Sequence, residues 1–235
     1  GSQGREQATG QGAIVCVREW AKSAGVNLAG KTALVQGFGN VGTFAAKFLD
    51  ALGVKLLATG DHTCYLKNDK GFDVPALFAY ARQTGSIQGF PGGEVCSRED
   101  FFRTKADVFV PAALENQITA DNAERVRARL VAEAANGPTT PAADEILRRR
   151  GIPVVPDILA NGGGVTVSYY EWVQNIQDEQ WDAETVDGKL KKKMVSAFHR
   201  VFDVAKEKKV DPRTAAYVVA LDRVAHVTEL RGIWP

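Results

Sequence analysis

A glycine-rich turn between an apolar strand and an apolar-periodic helix constrains this chain more than any other feature. Thr32 to Gln36 reads as a strand, Gly37-Phe38-Gly39-Asn40-Val41-Gly42 as the turn, and Val41 to Leu52 as the helix. A second apolar run, Val54 to Thr59, ends on Gly60-Asp61. That order sets the unpaired N–H groups and positive dipole end of a helix above a strand, with a carboxylate at the end of the next strand. It is the arrangement expected of a dinucleotide site, with the pyrophosphate on the helix N-terminus. Gly37 permits the tight turn, Gly39 lets backbone approach the pyrophosphate, and Gly42 permits close helix–strand packing. Asp61, 19 positions after Gly42, is placed to accept hydrogen bonds from both adenine-ribose hydroxyls and to repel a 2′-phosphate. No Arg or Lys directly follows Asp61, and Lys67 is six residues on, so the expected cofactor is NAD rather than NADP.

The rest of the chain extends the same pattern. A helix is expected over 10–24, with Ile14, Val17, Trp20 and Ala21 at helical spacing and Gly25 as its stop. Strand-like runs recur at Thr32–Gln36, Lys55–Thr59, Ala106–Val110, Arg129–Glu133 and Ile152–Val155. Helical stretches at Val41–Leu52, Val74–Thr84, Thr119–Arg127 and Pro141–Arg150 separate most of them. Short Val, Leu and Ala runs with little polar alternation suit strands buried on both faces. The fold class is therefore α/β, a Rossmann-like doubly wound, mostly parallel sheet. From about residue 165 to 235 the pattern becomes helical, with helices at Val165–Gln177, Val186–Lys208 and from Asp211-Pro212 to about Leu230. No composition break divides the 235 residues, so they read as one domain, 1–235, with extra C-terminal helices.

Composition narrows the function. A formal net charge of +1 gives no reason to expect a nucleic-acid or acidic-membrane partner, and Arg148-Arg149-Arg150 and Lys191-Lys192-Lys193 read as solvated helix faces. No apolar stretch approaches the ~20 residues of a membrane span. Cys16, Cys64 and Cys96 are odd in number and widely spaced, without a ligand cluster, so a reduced, cytoplasmic chain with no metal site is expected. His62, His199 and His226 are scattered and read as packing or surface residues. The single methionine is Met194, so the chain is expected to be part of something longer. Gly25-Val26-Asn27-Leu28-Ala29-Gly30-Lys31-Thr32 matches a P-loop by letter, but a helix precedes it and a strand follows, the reverse of what phosphate binding needs.

Three polar or glycine-rich segments follow later strands: Pro111 to Asn116, Ala135 to Pro141, and Pro156 to Gly164. In an open parallel sheet the strand carboxyl ends form the ligand crevice. Asn136 and Asn161 offer both a donor and an acceptor there, suited to a carboxamide and ribose hydroxyls, or else to capping turns.

On these residues the sequence resembles the cofactor-binding domain of hexameric glutamate dehydrogenases, in the glutamate/leucine/phenylalanine/valine dehydrogenase family. The resemblance runs from Gly1-Ser2 to Gly10, through Val35–Gly42, Pro111–Gln117, Ala135–Pro141, Pro156–Asn161 and Val165–Asn175, and closes on Arg213–Tyr217 and Arg231-Gly232-Ile233. It implies that Asn40 and Val41 meet the pyrophosphate through backbone N–H groups. It places Thr9 and Arg5 at the nicotinamide end, Ala112 and Ala113 along the nicotinamide ribose with Asn136 close, and Asn161 on the carboxamide. Ser168 matches the serine that contacts the substrate side-chain carboxylate in glutamate-specific members. The chain departs from the family at Ala134, Gly162 and Cys64.

The resemblance further implies oxidative deamination of L-glutamate to 2-oxoglutarate and ammonia by hydride transfer to NAD. In the family the acid–base groups, a lysine and an aspartate, lie on a preceding substrate domain. This chain has no matching segment, so it is expected to bind NAD but to be non-catalytic alone, within a full-length homohexamer. The alternatives are a stand-alone NAD-binding regulatory or scaffold module, or the same domain from another amino-acid dehydrogenase.

Overall fold

The computed structural model describes residues 1–232, and Ile233, the last residue of the resemblance, lies outside them. Among these residues seven strands form one sheet: β1 (Thr32–Gln36), β2 (Lys55–Gly60), β3 (Tyr65–Lys67), β4 (Glu94–Cys96), β5 (Lys105–Pro111), β6 (Arg127–Ala132) and β7 (Val154–Val155). Their order is β4-β3-β2-β1-β5-β6-β7. β1 pairs in parallel with β2 and β5, β5 with β6, and β6 with β7, whereas β3 pairs antiparallel with β2 and β4. The chain therefore leaves β1 in opposite directions along the sheet, which opens a crevice at the carboxyl ends of β1 and β5.

Among the described residues ten helices flank the sheet: α1 (Ala8–Ser23), α2 (Asn40–Asp50), α3 (Val74–Thr84), α4 (Arg98–Arg103), α5 (Ala120–Ala123), α6 (Pro141–Arg149), α7 (Asp157–Ala160), α8 (Gly163–Gln177), α9 (Ala183–Lys208) and α10 (Pro212–Arg231). Alternate residues of the central strands feed two cores. Ala33, Val35, Val108, Val110, Leu130 and Ala132 join the core shared with α1, α2 and α9. Leu34, Phe109 and Val131 join the smaller core of Phe101, Phe102, Ala143 and Leu147 beneath α4 and α6. Burial on both faces is why these strands carry unbroken apolar runs.

Helix starts follow local chemistry. Asp73, Asp182 and Asp211 each accept a hydrogen bond from the N–H three residues on, and Pro75 and Pro212 occupy the first turns of α3 and α10. The expected helix over Thr119–Arg127 is a single turn, because Thr119 and Asn122 close a capping box and Arg127 already pairs in β6. β3 and β4, absent from the sequence reading, form an antiparallel pair of three-residue strands, too short for periodicity to show. Among the described residues no helix is long and apolar enough to cross a membrane. The arginine run ending α6 and the lysine run of α9 are exposed.

Candidate functional site

The glycine turn is built as its spacing requires. Gly37 adopts φ 95°, and a Cβ there would stand 2.7 Å from the Ala112 carbonyl. Close contact with the start of the β5 loop therefore depends on glycine, and Ala112 N–H donates to Gln36 O at 2.7 Å beside it. A Cβ on Gly42 would run into the Gly37 carbonyl, so the helix sits directly on its own turn. Gly39 differs. Its φ is −79° and a Cβ would meet nothing within 4 Å, so no protein atom demands glycine there.

Gly39 caps α2 without a side chain, and the first helical bond runs from Thr43 N–H to Gly39 O at 2.9 Å. The N–H groups of Asn40, Val41 and Gly42 have no partner among the described residues. Open space at Gly39 and three unpaired donors fit a bound phosphate. The Asn40 side chain is turned away and donates to Glu6 O at 3.0 Å.

A cavity of about 1040 Å³ opens beside this helix end, above the carboxyl ends of β5 and β6. It brings together eight of the expected residues: Arg5, Thr9, Val41, Ala112, Ala113, Asn136, Asn161 and Ser168. Asn161 Nδ2 donates to Asn136 Oδ1 at 2.6 Å. The pair thus keeps one amide oxygen and one amide nitrogen unbonded among the described residues, the complement of a carboxamide. Gly164, at the first turn of α8, leaves room that Thr9 fills, and Ser168 lies one turn further along the same wall.

Other expected residues lie outside that cavity. Phe38, Gly39 and Asn40 line a separate hollow of about 260 Å³ with Phe78 and Arg82, where Arg82 pairs with Glu6 at 3.3 Å. Gly37 and Gly42 line neither space and act through the turn itself. Asp61 also lines neither, and it is heavily engaged. Its Oδ1 accepts from Thr63 N–H at 2.7 Å, from the Thr63 hydroxyl and from Cys64 N–H at 3.2 Å. Its Oδ2 accepts from Ile87 N–H at 2.8 Å. Partial burial pushes its pKa up, but these bonds outweigh it and hold the carboxyl below the usual aspartate value. One lone pair on Oδ2 remains open, so the expectation of two simultaneous ribose bonds reduces to one.

Sequence reasoning missed the charged cluster behind the asparagines. Glu133 is fully buried at the end of β6, and Arg213 of α10 meets it at 2.8 Å, Asp144 at 2.8 Å and Asp157 at 3.3 Å. Burial pushes Glu133 up, with Arg213 opposing. Burial also disfavours the Arg213 cation, but Glu133 and Asp144 outweigh that and hold it above its ordinary value. Facing three carboxylates, Arg213 stays charged, and its two bonds to Glu133 oppose the protonation that burial favours there. Acidic residues at strand ends were the only local signal, because the partners lie up to 80 positions apart.

The sequence pattern of glutamate/leucine/phenylalanine/valine dehydrogenases matches residues 1–232. The chain belongs to that family. It is 51% identical over 236 aligned residues to a glutamate dehydrogenase of Thermotoga maritima, covering 100% of this chain and 57% of that protein. It is 44% identical to the catabolic NAD-specific glutamate dehydrogenase of Bacillus subtilis, covering 99% of this chain and 54% of that one. Among solved structures, the leucine-bound hetero-hexameric glutamate dehydrogenase of Thermus thermophilus superposes with TM-score 0.93 at 34% identity, over 100% of this chain and 56% of that one. The enzyme of Peptoniphilus asaccharolyticus superposes with TM-score 0.84 at 42% identity, over 100% and 55%. The chain therefore spans about half the length of the family members it matches. The Rossmann-like class inferred from strand and helix order is that of these family structures.

Proposed function

We propose that this chain is the dinucleotide-binding domain of an NAD-dependent glutamate dehydrogenase, which oxidatively deaminates L-glutamate to 2-oxoglutarate and ammonia. The observation that carries the reading is the cavity that joins the α2 N-terminus to the Asn136–Asn161 pair. Relatives named as NAD-specific glutamate dehydrogenases support the choice of substrate and cofactor.

In this reading the unpaired N–H groups of Asn40 and Val41 hold the pyrophosphate, and Ala112 and Ala113 let the nicotinamide ribose lie against backbone. Asn161 and Asn136 bond the carboxamide and so fix which ring face turns toward Thr9, Arg5 and Ser168. Ser168 hydrogen-bonds the substrate side-chain carboxylate. Asp61 takes one ribose hydroxyl on Oδ2, and its charge repels a 2′-phosphate. Bound NAD supplies the hydride acceptor. Among the described residues Arg5 and Glu115 are the only charged side chains lining the cavity, and no lysine stands there to take a proton from a substrate ammonium. The chain alone is therefore a binder without turnover, and the catalytic assembly, a homohexamer in this reading, supplies the acid–base groups.

Titration with NADH and NADPH, followed by nicotinamide fluorescence, tests the assignment. NADH binds more tightly, and Asp61→Ser narrows the gap. Tighter NADPH binding by the unaltered chain would refute the role of Asp61. Sustained formation of reduced nicotinamide from glutamate and NAD by this chain would refute the binder-only reading.

A further inference from the structure

The two asparagines owe their placement to residues that line no part of the cavity. Asn136 is followed by Gly137, whose N–H donates to Asp157 Oδ2 at 2.8 Å. Asn161 N–H donates to the backbone carbonyl of the same Asp157 at 3.0 Å. One residue thus grips both asparagine-bearing segments, one through its side chain and the other through its backbone.

Asp157 is itself held from behind. Its N–H donates to Glu133 Oε2 at 2.9 Å, and its Oδ1 faces Arg213 Nη1 at 3.3 Å. Arg213 clamps both Glu133 oxygens, at 2.8 and 3.0 Å, and anchors to Asp144 at the start of α6. Glu133 is fully buried, so this clamp has no solvent to replace it.

We propose that Arg213 and Asp157 are positioning residues that fix the spacing of Asn136 and Asn161, and thereby couple the first turn of α10 to recognition of the nicotinamide carboxamide. The proposal rests on the reading of the two asparagines as carboxamide contacts. Misplacing one of them by a fraction of an ångström weakens a directional bond while the pyrophosphate site, built on α2, stays intact. The coupling is reciprocal: nicotinamide binding must tighten the seat of α10 on β6 and α7.

ADP-ribose separates the two ends, since it carries the adenosine, pyrophosphate and terminal ribose of NAD but no nicotinamide. Calorimetric titration of this chain with NAD and with ADP-ribose, alongside Asn161→Ala, Arg213→Lys and Asp157→Asn variants, reads out the ratio of the two affinities. All three variants should lose NAD affinity by about tenfold, the worth of one well-made hydrogen bond, with ADP-ribose binding held within about twofold. Asp157→Asn is isosteric and supplies the ratio if Arg213→Lys does not fold. If Asn161→Ala lowers the ratio but Arg213→Lys and Asp157→Asn leave it unchanged, the positioning role is overturned. An equal loss of both ligands in the Arg213 and Asp157 variants also overturns it, as a general structural effect. If Asn161→Ala itself leaves the ratio unchanged, the asparagine reading fails first and the coupling falls with it.

Discussion

Replacing Arg213 by Met removes the cation while keeping most of the side-chain length, and the cost can be worked from the Glu133 environment. Glu133 is fully buried and loses both guanidinium bonds, retaining the Asp157 N–H at 2.9 Å. A buried, unpaired carboxylate costs about 3–5 kcal/mol. That penalty has a ceiling, because the group can instead take up a proton. From an ordinary value of 4.5, protonation at pH 7 costs about 2.5 units at 1.36 kcal/mol each, or about 3.4 kcal/mol. The ceiling drops to about 0.7 kcal/mol at pH 5. The sign follows from linkage. Glu133 has its folded value raised, so its favourable contribution is complete below 4.5 and is lost as pH rises through the folded value. Without Arg213 that folded value moves higher and the loss extends further into the neutral range. The variant should therefore melt about 6–14 °C below the unaltered chain at pH 7, and the gap should narrow steadily toward pH 5. Circular-dichroism melts of both proteins at four pH values measure this. A gap that is absent at pH 7, or that stays constant down to pH 5, would refute the account of Arg213 as the group that opposes protonation of buried Glu133.

Two glycines of the turn should separate folding from binding. Gly39→Ala should leave the melting temperature within about 2 °C, since its Cβ meets no protein atom, yet lower NADH affinity at least about tenfold; Gly42→Ala, whose Cβ strikes the Gly37 carbonyl, should lose both. Fluorescence titration and thermal melts on the same samples decide this. Asp61→Ala releases the N–H groups of Thr63, Cys64 and Ile87 and should destabilise the fold by about 1–2 kcal/mol in urea titrations. Because the folded value of Asp61 is lowered, its contribution holds above pH 3.8 and fades as pH falls through the folded value, so the variant and the unaltered chain should converge in acid. The Cys16 thiol, pushed up to about 12 chiefly by burial, should resist a disulfide reagent at pH 8 in the folded chain, while the partly exposed Cys64 and Cys96 react.

What could be read in the sequence, and what could not, divides along sequence distance. β1 and α3 fall on their expected residues because an apolar run, and an Asp73 cap with Pro75 in the first turn, act within a few positions. The turn at Gly37–Gly42 is legible for the same reason, since each glycine answers a clash or an opening made by its near neighbours or by the β5 loop. β3 and β4 were not legible. Val95 is largely exposed and the pair survives by hydrogen bonding to the edge of β2, which no local periodicity records. Asn136 and Asn161 are legible from their places in polar segments after strands, and the resemblance gives each its expected partner, whereas their mutual bond is a tertiary fact. Arg213 carried no hint of its partners, because Glu133, Asp144 and Asp157 converge on it only after β6, α6 and α7 are in place. Asp61 shows the opposite error: spacing placed it correctly at the end of β2, but not the Ile87 N–H that uses one of its acceptor sites.

The helix α1 sets an order of events for the chain as it is made. Its residues Ala13, Ile14, Cys16, Val17 and Ala21 are buried, and it packs not only on α2 but on α8 and α9. Gly12 lies so close to Gly163 that a Cβ would stand 2.9 Å from it, and Glu19 faces His199 across a separation of 180 positions. During synthesis at roughly 5–20 residues per second, the covering helices emerge on the order of 10–40 s after α1. Throughout that interval an apolar helix is clothed on one side at most. Burial of α1 is therefore completed by the arrival of α9 rather than by closure of the sheet.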